Sequence, residues 1–341
     1  MHKRRILKLL RIGVWLLVPL LLWLAFRGIA ISDIANILKN LHPTNIFILV
    51  VINFIILLMF SGRWWLLLNT QGYRIPYLTL VKYRIASFGL TYFTPGPQFG
   101  GEPLQVYLLH QHSKVPTSVS LASVMLDKIL EIMVIILFLL VGLTMIIFSG
   151  FEFGISAWQL LIGMAGILAI PISCFLLLCT GRLPITWILS RISSNHFQKL
   201  RSSKVSQMVI STEMQSSEIC QSHTSTVFVA LLFSLIIWFV IIFEYWIAFQ
   251  FLGLTLDLSN TIILLTAARL AYFTPMPAGL GSLEASQVIA ISALGLPAAM
   301  GISISLLART RDMLLASLGL WFVAQFTQKT FKEPLISHIG D

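Results

Sequence analysis

Long apolar runs separated by short polar breaks make up most of this chain. A helix that crosses the hydrocarbon core of a bilayer needs about 20 mainly apolar residues. Runs of this length predict five spanning helices, at about 12–27, 44–68, 117–149, 155–180 and 225–252. A sixth is predicted at about 299–326, although it contains Arg309, Arg311 and Asp312. The pattern therefore predicts an all-α polytopic membrane protein.

Two further apolar regions, 76–112 and 258–296, are interrupted near their middle by proline and glycine. The first contains "LTYFTPGPQFGGEP" (90–103) and the second contains "LAYFTPMPAGLGSLE" (270–284). A shift of 180 positions superimposes seven identical residues of these two phrases. Because proline and glycine interrupt helices, each region is predicted to form two half-length helices, which is a re-entrant hairpin.

The order span, hairpin, span thus occurs twice, at 44–149 and at 225–326. One intervening span predicts that the second copy is inverted in the membrane. Inverted repeats with broken helices near the midplane are typical of transporters. The remaining segments are predicted to be an N-terminal anchor span with a short external segment (1–43), a linking span with a serine-rich cytoplasmic linker (150–224) and a cytoplasmic tail (327–341).

Composition and charge agree with a membrane location. The chain is 57% hydrophobic and 11% charged, whereas soluble domains are about 25% charged. A net charge of +10 first suggests nucleic-acid binding. With a cytoplasmic N-terminus, however, 17 of the 23 Lys and Arg residues fall inside and two, Arg27 and Lys39, fall outside. This distribution follows the positive-inside rule, so it predicts cytoplasmic termini and argues against nucleic acid as a partner.

The two Pro/Gly tips are predicted to line an internal cavity. Non-helical backbone is tolerated at membrane depth only where it lines a cavity or is buried in protein. Helices that start at Gly100–Gly101 and at Gly279–Gly281 would direct backbone N–H groups into this cavity, where they attract anions. The hydroxyl groups of Thr94 and Thr274 would add donors. The alternative, that proline and glycine only build tight turns, stays equally open.

Several charged residues lie within the apolar regions, where an ionisable group indicates a functional site. Glu102 and Glu284 begin the second arm of each hairpin, where a carboxylate also offsets the helix dipole. The other intramembrane charges are Asp127, Lys128 and Glu131 in one span, Arg309, Arg311 and Asp312 in the last span, and Arg269 before the second tip. Structural ion pairing and ligand contact are both consistent with these positions. Glu244 has no evident partner. The three cysteines and the pair His110 and His112 show no metal-site spacing, so no metal is expected.

The hairpin motifs also resemble those of a known family. "PGPQFGGEPLQVYLL" resembles the pattern P-x-x-x-G-E-x-x-R-x-x-L, and "PAGLGSLEAS" resembles P-x-G-L-G-x-x-E. Both patterns belong to the flippase-like membrane domain of the lysylphosphatidylglycerol synthase family, and the resemblance covers essentially the whole chain. The matched motif positions are Pro97, Gly101, Glu102, Pro277, Gly279, Gly281 and Glu284. Gln105 and Lys128 stand where the family often has arginine.

The resemblance implies a multi-pass inner-membrane protein that moves a lipid across the bilayer, as a stand-alone member without the synthase domain. The candidate lipid-binding residues are Thr94, Pro97, Gly100, Gly101, Glu102, Arg269, Thr274, Pro277, Gly279, Gly281, Glu284, Arg309 and Arg311. The candidate charge-coupling residues are Glu102, Asp127, Lys128, Glu131, Glu284 and Asp312. The expected partner is a phosphate-bearing membrane lipid, and no cofactor is expected.

Three other functions are weighed against lipid translocation. An ion-coupled transporter of a small solute would use the same architecture. A regulatory scaffold would bind a lipid-synthesis enzyme through the linker 190–226. A lipid-modifying enzyme is the least supported, because the five aspartates form no D-x-D motif and no H-x-x-x-x-D motif is present. The protein is therefore expected not to be an enzyme.

Overall fold

The computed structural model describes residues 31–39, 41–94, 100–149, 157–192, 204–274 and 276–332. Within these ranges it contains twelve α-helices, one 3₁₀ turn and no strand. The elements are α1 (Ile31–Lys39), α2 (Pro43–Asn69), α3 (Tyr77–Phe93), α4 (Glu102–Ser113), α5 (Thr117–Phe148), α6 (Ala157–Cys179), α7 (Pro184–Ile192), α8 (Lys204–Ser222), α9 (Thr224–Phe251), α10 (Leu258–Ala271), the 3₁₀ turn Pro277–Gly279, α11 (Ser282–Ala293) and α12 (Ala298–Lys332). The described part of the chain is therefore all-α.

Four of these helices are long and apolar enough to cross a bilayer. They are α2, α5, the part of α6 from Ile162 to Cys179, and α9. These four coincide with the predicted spans that begin near residues 44, 117, 155 and 225. The helix α12 runs without a break through the predicted sixth span but is not among the four. The predicted first span, 12–27, lies outside the described residues. The chain is thus a multi-pass membrane protein.

Each predicted hairpin consists of two shorter helices. In the first, α3 ends at Phe93 and α4 begins at Glu102; in the second, α10 ends at Ala271 and α11 begins at Ser282. The two arms of each hairpin pack against one another. The arms have 12 to 17 residues, or about 18–26 Å at 1.5 Å per residue. They are shorter than the hydrocarbon core of about 30 Å, as re-entrant arms should be.

The two span–hairpin–span units make matching contacts. The arm α3 packs against α12, and the corresponding arm α10 packs against α5. The second arms also correspond, since α4 packs against α5 and α11 against α12, while the first helices of the units, α2 and α9, pack against each other. Exchanging the two units therefore maps each hairpin contact onto a corresponding contact of the other hairpin, and maps the α2–α9 contact onto itself.

The open ends of the two hairpins pack against opposite ends of α2. The beginning of α3 and the end of α4 share an apolar cluster with the ends of α2 and α12. The end of α11 and the segment before α10 share another cluster with the beginning of α2, the end of α9 and the beginning of α12. The side of the membrane on which each end lies stays a prediction.

Helices α3 and α12 touch backbone to backbone where they cross. A Cβ atom built on Gly319 would lie 2.3 Å from the carbonyl oxygen of Ile85 and 2.8 Å from the Cα atom of Gly89. A Cβ atom at these distances would overlap the backbone of α3, so residue 319 must be glycine for the helices to cross this closely. A first-unit hairpin arm is thereby held against the last helix of the second unit.

The polar tract that includes α8 is part of the helix bundle. Helix α8 packs against α5, α6 and α9, and Ile219 and Cys220 are buried in that interface. Burial raises the pKa of the Cys220 thiol, so this cysteine stays protonated and unreactive. Met208 and Met214 of the same helix are exposed.

Candidate functional site

The candidate site is built around the tips of the two hairpins. The first tip comprises residues 94–101, between α3 and α4, and the second tip comprises residues 272–281, between α10 and α11. Pro97 and its neighbours at 95–99 lie outside the described residues. Each tip is followed by a helix that begins with or near a glutamate, and each glutamate pairs with a basic residue on the next long helix.

At the first tip, glycine permits a close approach of the second arm to the first. A Cβ atom on Gly101 would lie 2.2 Å from the hydroxyl oxygen of Ser87. The backbone N–H of Gly100 donates to Oε2 of Glu102 (2.9 Å), and Oε1 of this glutamate lies 3.1 Å from Nζ of Lys128. The hydroxyl of Thr94 donates to the carbonyl of its own helix. The Glu102 side chain remains 26% exposed.

Arg63 lies at the centre of a buried ion network between α2, α5 and α9. Its side chain is 1% exposed; Nε donates to Asp127 (2.7 Å), Nη2 to Glu131 (3.3 Å) and Nη1 to the hydroxyl of Ser234 (2.9 Å). Lys128 also pairs with Glu131 (3.1 Å). An isolated charge is costly inside a protein. These basic and acidic side chains can be buried because they pair with one another.

Arg84 extends this network from the first hairpin. Its Nη2 atom pairs with Oδ2 of Asp127 (2.5 Å), and its guanidinium group lies 5.6 Å from the ring centroid of Phe60 and 5.7 Å from that of Trp64. Six charged residues are linked in this way, and we call them the first charge cluster: Arg63, Arg84, Glu102, Asp127, Lys128 and Glu131. Three of them are positive and three are negative. The cluster has no net charge.

At the second tip, Arg309 binds the turn and its glutamate together. Its Nε donates to Oε1 of Glu284 (2.8 Å), and Nη2 donates to Oε2 of Glu284 (3.2 Å) and to the carbonyl of Gly279 (2.6 Å). The Nη1 atom donates to the carbonyl of Ala278. Oε2 of Glu284 also accepts the backbone N–H of Gly281 (2.9 Å). Both side chains are almost fully buried, so this pair holds the tip in shape.

The backbone of the second tip needs this support. Ala278, Gly279 and Gly281 have φ angles of 53°, 64° and 79°, in the left-handed region that glycine adopts most easily. The hydroxyl of Thr274 donates to the carbonyl of Ala271 (2.7 Å), at the end of α10, and its oxygen lies 2.8 Å from Oγ of Ser282, at the start of α11. Pro277 begins the 3₁₀ turn.

Arg311 joins α12 to α2 and α9. Its Nη1 atom lies 2.7 Å from Oε1 of Glu244 and 3.0 Å from Oδ1 of Asn53, and its Nε lies 2.8 Å from Oδ1 of Asp312. Glu244 therefore has a partner that the sequence did not reveal. We call the following residues the second charge cluster: Glu244, Glu284, Arg309, Arg311 and Asp312. With two positive and three negative charges, it has a net charge of −1.

The two clusters have corresponding members. Lys128 and Glu131 of α5 lie 181 positions before Arg309 and Asp312 of α12. In each unit, the basic residue of this pair contacts the glutamate at the start of the second hairpin arm. The two units therefore correspond also in the ion pairs beside their tips.

Arg269, in the last turn of α10, differs from the other arginines of the hairpins and long helices. Among the described residues, the other four have a carboxylate oxygen within 4.0 Å, and Arg269 has none. Its Nε atom is buried without a hydrogen-bond partner, and its guanidinium carbon lies 5.2 Å from the ring centroid of Trp238. The helix dipole favours a cation in this last turn. It does not supply a hydrogen-bond acceptor, so the buried Nε–H remains unsatisfied.

Three arginines contact one buried face of α9 in succession. Arg63 binds Ser234, Arg269 lies over Trp238 and Arg311 binds Glu244. Ser234 is ten residues from the beginning of α9 and Glu244 is seven residues from its end, so the face occupies the middle of the span. At 1.5 Å per residue it is about 15 Å long. Arg269 thus lies between the two charge clusters along α9.

The structure separates the candidate residues by role. The N–H groups of Gly100 and Gly281, expected to receive an anion, are each bonded to the glutamate that follows. Glu284 and Arg309 are engaged with each other and with the tip. Asp127 and Glu131 bind arginine or lysine in the first cluster. Arg269 alone among the expected lipid-binding arginines offers an unengaged N–H group within the described residues.

Sequence reasoning missed Arg63, the residue that connects α2, α5 and α9. One signal for it was present. An arginine inside an apolar span needs an anionic partner, and Asp127 and Glu131 are four positions apart, on one side of a helix. Asn53 and Ser234 carried no comparable signal, because single neutral polar residues are common in spanning helices.

Comparisons with known proteins agree with this architecture. The family model of the lysylphosphatidylglycerol synthase TM region matches residues 9–319. A UPF0104 membrane protein of Methanocaldococcus jannaschii is 20% identical over 321 residues, which cover 92% of this chain and 94% of that protein. A UPF0104 membrane protein of Methanothermobacter thermautotrophicus is 24% identical over 274 residues, covering 77% and 80%. No solved structure gives a significant match. Because the family model covers nearly the whole chain, including both hairpins, this protein belongs to the family of the lysylphosphatidylglycerol synthase transmembrane region.

Proposed function

We propose that this protein translocates a phosphate-bearing lipid across the inner membrane and is not an enzyme. The observation that carries the proposal is Arg269, an arginine in the middle of the bundle whose buried Nε has no partner among the described residues. The other intramembrane arginines are engaged in ion pairs. An arginine without an anionic partner at membrane depth is costly, and it is expected where an anionic ligand binds.

A phosphate group suits this position. The planar guanidinium group of arginine binds phosphate through two parallel hydrogen bonds and is more weakly hydrated than an ammonium group. Arg269 stays near the face of Trp238, so its cation is stabilised by the ring in the absence of ligand. The lipid tails would remain in the bilayer while the headgroup enters between α9, α10 and α5.

The arrangement of the hairpins supports alternating access. The two units make matching contacts, and their hairpins open toward opposite ends of α2. Rocking of one repeat against the other around a central site is a common transporter mechanism. The glycine contact between α3 and α12 provides a close junction between the two units, where such a rotation would have its axis.

The charges near Arg269 suggest that a proton accompanies the headgroup. The second charge cluster has a net charge of −1, so Arg269 makes the total zero. A bound phosphate monoanion would return the total to −1, which is unfavourable at membrane depth. Protonation of one carboxylate would restore neutrality. Asp312 is the best candidate, because its Oδ2 atom has only a long hydrogen bond, 3.4 Å, from the hydroxyl of Tyr272.

Glu102 is a second candidate for coupling. It is the most exposed carboxylate of the first charge cluster and lies at the tip itself. Its contact with Lys128 continues through Glu131 to Arg63. A change of protonation at Glu102 would therefore alter the ion pairs that join α2, α5 and α9.

Reconstitution into liposomes tests the proposed function. Fluorescent phosphatidylglycerol in the inner leaflet is protected from a membrane-impermeant reducing agent until it is moved outward. We expect the protein to accelerate the loss of this protected fluorescence over empty liposomes. A pH gradient should change the rate, and Asp312→Asn should remove that dependence.

The same preparation separates the proposal from an ion-coupled solute transporter. Liposomes loaded with buffer are tested for uptake of radiolabelled amino acids, sugars and phosphate. Lipid movement without solute uptake supports the proposal. Solute uptake with no acceleration of lipid movement would contradict it.

A further inference from the structure

Helix α7 is placed directly beside the end of a membrane span. The span α6 ends at Cys179, and the next residues form a tight helix cap in which the N–H of Arg182 donates to the carbonyl of Leu177 (2.9 Å). Gly181 has a φ angle of 80°, as such caps require. Helix α7 then begins at Pro184. The cap therefore fixes the start of α7 beside the end of α6.

This short helix presents large apolar side chains outward. Trp187 is 60% exposed and Ile188 is 50% exposed, and Ile185 is also exposed. Nine residues give a helix of about 14 Å, less than half of the hydrocarbon thickness of about 30 Å. The helix is too short to span the membrane, and its exposed face is too apolar to favour water.

A buried carboxylate holds α7 in a fixed orientation. Glu213 of α8 is fully buried and accepts the backbone N–H groups of Ile185 (2.6 Å) and Thr186 (2.9 Å) and the hydroxyl of Thr186. A negative charge at a helix N-terminus is favourable. Ser217, one turn further along α8, donates to the carbonyl of Leu178 (2.8 Å) at the end of α6. Helix α7 is therefore attached to the bundle through α8.

We propose that α7 is an interfacial helix that inserts its apolar face into the leaflet at the end of α6, on a surface that contains anionic lipids. The neighbouring last turns of α6 also expose an apolar side chain, Leu176. Tryptophan favours the membrane interface. The segment 180–224 contains five Lys and Arg residues and two Glu residues, a net charge of 5 − 2 = +3, and basic residues beside an apolar helix attract anionic headgroups.

The immersion depth of α7 tests this proposal. Single cysteines that replace Ile185 and Ile188 are spin-labelled in a variant whose three native cysteines are alanine. Gln207, exposed on α8, and Phe239, exposed on α9, give reference labels for water and for lipid. We expect the α7 labels to collide with oxygen more than with a water-soluble nickel complex, as the Phe239 label does.

Two other results of the depth measurement would overturn the proposal. Collision rates like those of the Gln207 label would place α7 in water. Protection from both reagents would place it against a protein. All four labelled side chains are exposed, so labelling does not disturb a buried contact, and gel filtration checks that each variant is folded.

Lipid composition tests the choice of an anionic surface. The labels at 185 and 188 should lie deeper in phosphatidylcholine vesicles that contain phosphatidylglycerol than in pure phosphatidylcholine. Equal depth in both vesicles would contradict an anionic preference.

The role of Glu213 is tested with a matched pair of variants on α8. Glu213→Gln should increase the mobility of the label at 188, whereas Glu218→Gln, at an exposed position of the same helix, should not. Equal label mobility in the two variants would exclude Glu213 as the group that orients α7. The depth measurement uses neither variant, so it decides the proposal even if Glu213→Gln fails to fold.

Discussion

The pairing of Arg309 with Glu284 gives the sharpest prediction on stability. The variant Arg309→Gln removes a cation that donates to both oxygens of Glu284 and to the carbonyls of Ala278 and Gly279. The carboxylate of Glu284 is only 4% exposed. Breaking one side of a buried pair costs about 3–5 kcal/mol, because the remaining charge is uncompensated. Arg309→Gln should therefore lower the free energy of unfolding by about that amount.

A double-mutant cycle separates the pair from its surroundings. Glu284→Gln and the double variant are measured beside Arg309→Gln by reversible unfolding in mixed detergent micelles. Since the double variant leaves no unpaired charge, it should be more stable than the sum of the single effects predicts, by about 1–3 kcal/mol. Arg311→Gln serves as a comparison. Its loss leaves the carboxylates of Glu244 and Asp312, 11% and 12% exposed, without their cation, so it should cost about as much as the loss of Arg309.

Either of two results would contradict a stabilising pair of Arg309 and Glu284. An interaction energy below about 0.5 kcal/mol would show that the two side chains do not act as a pair. Wild-type stability of Arg309→Gln, together with loss of lipid translocation, would show that Arg309 binds ligand and does not hold the tip.

Three further predictions concern the helix crossing and the two candidate ligand-contact residues. Gly319→Ala should destabilise the protein by about 1–3 kcal/mol, because the new Cβ atom would overlap the backbone of α3. Gly163→Ala, where the surrounding space is open, should be neutral or slightly stabilising. Thermal unfolding in detergent measures both variants, and equal effects would contradict the close crossing of α3 and α12. Glu102→Gln should slow lipid translocation in liposomes. Its unfolding temperature should stay near that of the wild type, because the side chain is partly exposed. Translocation at the wild-type rate would show that Glu102 acts only as a helix cap. Arg269→Gln should leave the free energy of unfolding unchanged within about 0.5 kcal/mol, or raise it, because no ion pair is lost. A decrease of the free energy of unfolding by more than about 2 kcal/mol would show that Arg269 has a structural role.

The positions of the long helices and of the hairpin breaks could be predicted from the sequence. The length of an apolar run and the presence of proline or glycine are local properties, and a bilayer makes both decisive. The predicted hairpin 258–296 thus contains the observed helices α10 and α11 with the break at Pro277–Gly279 between them. Lys128 and Arg309 are 181 positions apart, one more than the offset of 180 between the two tips, so their correspondence could also have been predicted from the sequence.

The ion-pair partners could not be predicted, since they depend on which helices are neighbours. Glu244 and Arg311 are 67 positions apart and belong to α9 and α12. A carboxylate in a span predicts that a partner exists, but not its identity. The tips differ from expectation for a related reason. The N–H groups at Gly100 and Gly281 could bind either an external anion or the carboxylate of the same chain, and the nearer carboxylate is already in place.

Helix α8 shows a different limit of sequence reasoning. Its low hydropathy suggested a solvated linker, yet it packs against three long helices. Thr212 and Ser216 donate their hydroxyl groups to carbonyls one turn earlier in the same helix. Bonding of this kind satisfies polar side chains locally, so a serine-rich helix can be buried without partners elsewhere.

The rate at which Arg269 variants move fluorescent phosphatidylglycerol across liposomes tests the central claim most directly. Arg269→Gln should reduce the rate to that of empty liposomes. Arg269→Lys should retain part of the rate, because the positive charge remains. The control variant Arg74→Gln, at an exposed loop position, should match the wild type. Wild-type rates for Arg269→Gln in a folded protein would contradict the account.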